Sequence, residues 1–351
     1  MDISEQVCTA TQKYIRVSAA ARIAAADAII GRKSVEKETL RHPRGYLQVR
    51  CLGLIHPILR INSMASFQAL RTQYSSLLKQ FASSSKDFAV LSSVPERSPP
   101  AKTLFVLDSS FNPPTRAHLR IASSALQEHL DPRSRLLLLL ATQNADKPSK
   151  PASFEDRLAM MELFAHDLRS HLATNFPEGL RSNDDLPAID ICVTKKPYFV
   201  DKATAIEASD CYSGPLEQIH LTGYDTLIRI LNTKYYPPEH TLQPLATLFS
   251  KHRLRVTMRP SDEWGSREDQ EEFVRALARG DREAEGGPRE WAQKIQLVEG
   301  RKPGDPSVSS TRARDAIHGA VEDLEWLVPE NVRQYLLAEK PYTRDSPSTR
   351  I

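Results

Sequence analysis

The residues whose types and spacing point most clearly to chemistry lie between Asp108 and His118, in the segment Asp-Ser-Ser-Phe-Asn-Pro-Pro-Thr-Arg-Ala-His. An apolar run at residues 103–107 precedes this segment and a helical pattern follows it, so it should join a strand to a helix. Backbone amides near Ser110 and Phe111, together with the positive end of that helix, can bind phosphate oxygens. His118, about one turn into the helix, can face the same pocket, although a histidine placed there is by itself more often a surface or core residue.

A second group of potential anion ligands lies far downstream, in the segment Val-Ser-Ser-Thr-Arg-Ala-Arg that ends at Arg314. A serine at a helix start leaves backbone amides free, and the hydroxyls of Ser309, Ser310 and Thr311 add donors. Arg314, one turn into the predicted helix, adds a guanidinium group. The segment therefore predicts an anion site, with an ordinary helix cap as the alternative.

Together and in this order, the two segments resemble those of the nicotinamide/nicotinate mononucleotide adenylyltransferase family, fungal type, within the His-x-Gly-His nucleotidyltransferases. The family pattern is Gly-Ser-Phe-Asn-Pro, a short gap and His, followed much later by Ile-Ser-Ser-Thr-x-x-Arg. Residues 110–113 and His118 match in register. Thr115 replaces the first histidine, as in eukaryotic members, and Ser109 replaces the glycine. Since serine tolerates positive φ less well than glycine, Ser109 is expected to alter the phosphate-binding turn.

The resemblance implies transfer of AMP from ATP to nicotinamide mononucleotide, which forms NAD and pyrophosphate. The 5′-phosphate of the mononucleotide would attack the α-phosphorus in line, Mg²⁺ would bridge the phosphates, and no protein nucleophile is needed. Catalytic roles are implied for His118 and for Arg314, the latter at the leaving phosphates. ATP contacts are implied for seven residues: Ser110, Phe111, Gly223, Asp225, Ser309, Ser310 and Thr311. Mononucleotide contacts are implied for Lys147, Lys150, Tyr198 and Phe199.

Several of these positions also have a purely structural interpretation. Asp225 is an equally good N-cap for the helix that follows it. Lys147 and Lys150 suit a solvated loop as well as a phosphate site, and the resemblance does not decide which of them would bind. The rings of Tyr198 and Phe199 could stack on the pyridine ring or simply pack in the core.

Two other functions are consistent with the same motifs. A sibling transferase that acts on another phosphate acceptor, such as phosphopantetheine, would share both segments. A regulator that binds or hydrolyses ATP without transferring AMP is the second, and the serine in place of glycine at position 109 leaves it open. An oxidoreductase is disfavoured because the sequence has no Gly-x-Gly-x-x-Gly.

Short apolar runs alternate with helical patterns from residue 102 onward, which predicts a Rossmann-like α/β fold with a parallel sheet covered by helices on both faces. The predicted strands are 103–107, 136–141, 189–193, 218–221, 254–258 and 295–298. The predicted helices are 115–129, 153–168, 203–209, 225–231, 267–278, 310–318 and 329–339. Segments 170–187 and 232–245 are expected to be long loops.

The expected organisation places this nucleotidyltransferase domain at residues 102–343. Before it we expect a poorly ordered or accessory extension over 1–63, with one helix at 17–30, and then a helix and linker over 64–101. A tail follows at 344–351. The domain is therefore preceded by an N-terminal helical extension.

Composition narrows the class of protein. The 351 residues carry a net charge of +3, with 40% hydrophobic and 26% charged residues, which is typical of a globular chain that does not bind nucleic acid through bulk charge. The longest aliphatic run, residues 136–141, is too short to span a bilayer. Four widely spaced cysteines favour a reducing compartment, so a cytoplasmic or nuclear location is expected. The sequence does not reveal the oligomeric state.

Overall fold

In a computed structural model, the chain is described over residues 64–129, 131, 133–143, 152–175, 185–214, 216–261, 263–301 and 304–342. Seven strands form one sheet: β1 Phe88–Val94, β2 Thr103–Asp108, β3 Ser134–Ala141, β4 Ala188–Thr194, β5 Glu217–Gly223, β6 Arg253–Thr257 and β7 Ile295–Val298. The first five α-helices described are α1 Met64–Ser83, α2 Arg116–Glu128, α3 Phe154–Asn175, α4 Phe199–Glu207 and α5 Tyr224–Ile230. They are followed by α6 Ala246–Lys251, α7 Arg267–Arg279, α8 Ser310–Gly319, α9 Leu324–Leu327 and α10 Glu330–Glu339.

The order of the strands places a crevice at the middle of the sheet. The strands lie in the order β1-β4-β3-β2-β5-β6-β7, and every neighbouring pair except β1 with β4 is parallel. The chain moves outward from β2 through β3 to β4, and then returns to start the other half at β5. Ligands bind at such a reversal, beyond the carboxyl ends of the two central strands. The predicted Rossmann-like α/β fold is confirmed.

The central strands of the sheet consist largely of buried apolar residues. Leu136 to Leu140 have no exposed surface, because β3 lies inside the sheet with helices on both faces. One core lies between the sheet and helices α1, α2, α3, α8, α9 and α10. The opposite face of the β5–β7 half is covered by α5, α6 and α7. The six predicted strands are all present, with bounds that differ by at most two residues.

The seventh strand lies where a linker is expected. Residues 88–94 form β1, which pairs antiparallel with β4 at the edge of the sheet. A serine of this strand has a structural role, since the Ser93 hydroxyl donates to Oδ1 of buried Asp190 at 2.6 Å. Arg135 and Tyr212 donate to the same carboxylate. The expectation of a plain helix and linker over 64–101 is therefore wrong for this segment, because polar side chains satisfy a buried charge.

Helix α1 is an integral part of the core. Phe67, Tyr74, Leu78 and Phe81 on one face of it are all buried. The ring of Phe67 meets that of Tyr335 from α10 edge-on, with 5.3 Å between centroids. The chain on the amino side of β1 thus packs with the carboxyl-terminal helix.

Other expectations differ in detail. Helix α3 continues to Asn175, so the loop expected at 170–187 begins later, and α4 begins at Phe199 rather than at 203. The segment 232–245 contains two short 3-10 helices. The extension 1–63 with its expected helix, Lys147, Lys150 and the tail 344–351 lie outside the described residues. No helix among the described residues is both long enough and apolar enough to cross a bilayer.

Candidate active site

Two adjoining cavities open at the carboxyl edge of the central strands. Cavity A, of about 300 Å³, is lined mainly by α2 and by the segments that follow β5, β6 and β7. Cavity B, of about 510 Å³, lies between the ends of β2 and β3 and helices α4 and α5. Four residues line both: Asp108, Ser109, Asp225 and Thr226. These shared residues lie at the end of β2 or shortly after β2 and β5, the two strands at which the strand order reverses.

The turn after β2 is held by side chains from distant parts of the chain. Its left-handed residue is Phe111, with φ of 44° and a fully buried side chain. Nε of buried Arg157 donates to the Ser110 carbonyl at 2.7 Å. Oδ1 of Asn112 accepts from the amide of Ala152 and from the hydroxyl of Tyr342. A strained φ persists when its surroundings determine it this strongly.

Ser109 does not distort this turn, contrary to expectation. The positive φ that would favour glycine falls at Phe111, two residues later, and φ at Ser109 is not positive. Ser109 instead places its Oγ 2.9 Å from Nε2 of His118. Replacement of the family glycine therefore adds a hydroxyl to the cavity wall without a backbone cost.

His118 is a neutral donor of defined tautomer. Its Nδ1 accepts from the backbone amide of Thr115 at 3.0 Å and lies 2.9 Å from the Thr115 hydroxyl. That acceptance places the proton on Nε2, which faces Ser109. Burial of the imidazole in the wall of cavity A lowers the pKa of His118 to about 4. The ring thus acts as an N–H donor at neutral pH, and it also occupies the capping position at which helices usually carry Glu or Gln.

The second motif is tied directly to the first. Ser309 caps α8 by accepting from the amide of Arg312 at 3.2 Å. The Ser310 hydroxyl donates to the Pro113 carbonyl at 2.8 Å, and Nη1 of Arg314 donates to the Asn112 carbonyl at 2.7 Å. These bonds join the start of α8 to the turn after β2.

The predicted ligands of this motif fall into two groups. Ser309 and Ser310 line cavity A, whereas Thr311 and Arg314 are not among its lining residues. Nη2 of Arg314 donates to Oγ1 of Thr311 at 3.2 Å. The guanidinium is thus fixed beside the cavity by its bonds to Thr311 and to the turn.

Gly223 is the last residue of β5, and Asp225, two residues later, belongs to the wall that the two cavities share. A Cβ atom at position 223 would lie 2.6 Å from Oδ1 of Asp225, so glycine allows the carboxylate to approach the backbone. Gly223 is itself the N-cap of α5, with Asp225 inside the first turn, so the interpretation of Asp225 as the cap is wrong. Nη1 of Arg259 lies 3.8 Å from that carboxylate.

Cavity B has aromatic side chains on one side and a buried ion pair at its floor. Tyr198 and Phe199 line it as predicted, Tyr198 being 36% exposed and Phe199 packing 5.9 Å from the ring of His220. Nζ of Lys202, one turn further along α4, pairs with Oδ2 of Asp108. The pairing of Lys202 with Asp108 could not be predicted from sequence, because no local pattern links a helical lysine to a carboxylate 94 residues away.

Comparison with known proteins agrees with this architecture. Residues 106–178, which run from within β2 through α2, β3 and α3, match the family described as Cytidylyltransferase-like. A Schizosaccharomyces pombe protein, whose name assigns it provisionally to the nicotinamide mononucleotide adenylyltransferases, is 34% identical over 271 residues. The match covers 77% of this chain and 97% of that relative. The chain belongs to the nicotinamide mononucleotide adenylyltransferase family.

Solved structures of this family have a more distant likeness to the chain. A Plasmodium falciparum nicotinic acid mononucleotide adenylyltransferase complexed with APC is 13% identical, with a TM-score of 0.39, over 68% of this chain and 96% of that one. The same enzyme complexed with NaAD gives a TM-score of 0.37 with the same identity and coverage. Both scores lie below 0.5, so the assignment to the mononucleotide adenylyltransferases rests on the sequence relative and on the fold of the chain itself.

Proposed function

We propose that the chain transfers AMP from ATP to nicotinamide mononucleotide, releasing pyrophosphate and forming NAD. The observation that carries this proposal, beyond membership of the family, is the wall of Asp108, Ser109, Asp225 and Thr226 that cavities A and B share. A reaction that joins a phosphate of one nucleotide to a phosphate of another needs two pockets whose phosphate ends meet. A protein that only bound ATP would need one.

Cavity A suits ATP. Its wall contains the Ser309 cap, the Ser310 hydroxyl, the N–H of His118 and the carboxylate of Asp225, which the family resemblance places at the ribose. Four arginines are also among its lining residues, namely Arg116, Arg120, Arg259 and Arg301. Such a concentration of donors and positive charge favours a triphosphate.

Cavity B suits a mononucleotide with an aromatic base. Tyr198, Phe199, Tyr235 and Tyr236 are among its lining residues, and flat rings offer stacking surfaces for a pyridine. Lys202 and Arg157 contribute positive charge to its lining. The expected phosphate ligands Lys147 and Lys150 stay a prediction.

The transfer step follows from this placement. An oxygen of the 5′-phosphate attacks the α-phosphorus of ATP, a new P–O bond forms, and the bond to the β-phosphate oxygen breaks opposite to it. We assign to His118 Nε2–H a hydrogen bond to a non-bridging oxygen of the transition state, in place of the bond to Ser109. No proton transfer by the protein is required. Arg314, fixed beside the cavity, is proposed to donate to the leaving pyrophosphate.

Magnesium belongs to the substrate in this scheme. Among the described residues, no group of three or more His, Cys, Asp and Glu side chains is placed to hold a metal ion. Phosphate oxygens and water are ligands that Mg²⁺ commonly takes with nucleotides, so it would enter as MgATP. A cytoplasmic or nuclear location is part of the same proposal.

The decisive experiment supplies the purified chain with ATP, Mg²⁺ and nicotinamide mononucleotide. Equal amounts of NAD and pyrophosphate are expected. Formation of ADP and phosphate without NAD would identify an ATP-hydrolysing regulator. Pyrophosphate release with phosphopantetheine but not with the mononucleotide would identify a sibling transferase.

A further inference from the structure

An ion pair buried beneath cavity B takes no part in the hydrogen bonds that join the two phosphate-binding motifs. Lys202 is on α4 and Asp108 is the last residue of β2, and their side chains are 7% and 9% exposed. Nζ of Lys202 pairs with Oδ2 of Asp108 and also lies 5.3 Å from the centroid of the Phe199 ring. Lys202 lines cavity B alone, whereas Asp108 lines both cavities.

Stability alone does not explain this pair. Two charges removed from water lose hydration that their mutual attraction only partly returns, so apolar residues of similar size often replace such pairs without loss. A lysine ammonium has three donors, and the carboxylate uses one of them. Because Lys202 lines cavity B, its two remaining N–H groups can donate to a ligand at the floor of that cavity. The Asp108 carboxylate would fix the direction of the ammonium.

We propose that Lys202 binds an anionic group of the pyridine mononucleotide and that Asp108 is the residue that positions its ammonium. This inference rests on the proposed function for the identity of the ligand. A pyridine mononucleotide offers two such anions. The 5′-phosphate is common to the amide and acid forms, whereas the ring carboxylate occurs only in nicotinic acid mononucleotide. Both accept hydrogen bonds from an ammonium group in the same way.

The test measures dissociation constants of both mononucleotides and of ATP by calorimetry on the full chain. Lys202→Met removes the cation, and the double variant Asp108→Asn with Lys202→Met removes both charges and so leaves none buried and unpaired. Both are expected to weaken mononucleotide binding at least about tenfold, with ATP affinity within about twofold for Lys202→Met. An equal loss for both mononucleotides assigns the 5′-phosphate, and a loss confined to the acid form assigns the ring carboxylate.

A matched control is available on the segment just before α4. Lys196 is 38% exposed and pairs with Asp87 at 3.0 Å, so Lys196→Met should leave all three dissociation constants unchanged. The proposal is overturned if the double variant regains wild-type mononucleotide affinity, since the pair would then be structural only. It is equally overturned if ATP and mononucleotide binding fall together in Lys202→Met. NAD formation by the wild-type chain is measured separately, so a wild type that binds both mononucleotides but forms no NAD would refute the proposed function and not this inference.

Discussion

Oγ of Ser109 lies 2.9 Å from Nε2 of His118, so a hydroxyl occupies the hydrogen-bond position that the histidine would offer to a phosphate oxygen. Thr115 fixes the opposite side of the ring by donating from its amide to Nδ1. The ring is therefore oriented by the protein alone, and in the proposed transfer step a substrate oxygen replaces Ser109 as the acceptor. Orientation in advance lowers the reorganisation needed in the transition state.

Replacement of this histidine tests the role directly. His118→Ala should lower kcat by about two to three orders of magnitude because it removes a donor used in the transition state. Steady-state formation of NAD checks the effect. The comparison is Ser109→Ala, which removes the acceptor that substrate displaces and should stay within about threefold of wild-type turnover. Near-normal kcat in His118→Ala would leave the residue as a helix cap only.

The depressed pKa of His118 predicts a pH profile. Because this pKa is about 4, the ring stays neutral in the folded protein at pH 6 to 8, where an unperturbed histidine would titrate. Protonation at lower pH would place a hydrogen on Nδ1 and break its bond from the Thr115 amide. The rate constant kcat should therefore show no inflection from His118 near pH 6.5, and should fall as pH decreases toward 4. A descending acid limb centred near 6.5 that His118→Gln abolishes would contradict this assignment.

The guanidinium of Arg314 separates catalysis from binding. Arg314→Lys keeps the charge but loses the planar fork that reaches Asn112 and Thr311, so kcat should fall about tenfold, more than ATP affinity does. Arg312 provides the control, because its side chain is exposed and contacts Ser307 and the ring of Trp326. Arg312→Lys should leave both parameters near wild type. If the two variants behave alike, the role at the leaving pyrophosphate is wrong.

The Asp225 carboxylate lies close to the backbone at Gly223, so the methyl group added by Gly223→Ala should affect ATP binding. Gly223→Ala would place Cβ within 2.6 Å of Oδ1 of Asp225 and force the carboxylate away. KM for ATP should rise about tenfold with little change in melting temperature. Gly319→Ala is the matched control, since its Cβ would meet nothing within 4 Å. An unchanged KM in Gly223→Ala would show that Asp225 does not contact ATP in this position.

Truncation tests where the folded unit begins. A chain that starts at Met64 should retain its melting temperature and its ATP affinity, because it keeps α1 and every residue that lines the two cavities. A chain that starts at residue 84 loses three buried aromatic residues, Phe67, Tyr74 and Phe81, each worth about 3 kcal/mol or more in a core. It should not fold. Thermal denaturation and ATP titration distinguish the two, and a marked loss in the first chain would assign a structural role to residues 1–63.

The structural features that the sequence predicted correctly are those that a local pattern of residues controls. An apolar run such as Leu136 to Leu140 predicts a buried strand by its composition alone. The spacing of Ser110 to His118 predicts a phosphate-binding turn. Strand β1 was not predicted because Ser92 and Ser93 interrupt its apolar pattern. The structural role of these two serines depends on hydrogen bonds to Glu162 and Asp190, which are distant in sequence. Features that depend on contacts between remote segments leave no local pattern.

The active site shows the same division between local pattern and remote contact. The residues of both motifs could be named from the sequence. The hydrogen bond from Ser310 to the Pro113 carbonyl, which joins the two motifs, could not be predicted. The partnership of Asp108 and Lys202 likewise joins two elements with no shared pattern. The effect expected of Ser109 was wrong because the turn places its left-handed residue at Phe111.

The wall common to both cavities also limits how this protein can diverge. Asp108, Ser109, Asp225 and Thr226 each line both cavities, so a substitution at any of them changes the surroundings of the proposed donor and acceptor together. Mutations that exchange one acceptor for another without loss of ATP use would have to arise among residues that line cavity B alone. Tyr198, Tyr235 and Tyr236 belong to that group. New acceptor preferences in this lineage should accumulate at those positions while the four shared residues change slowly and in concert.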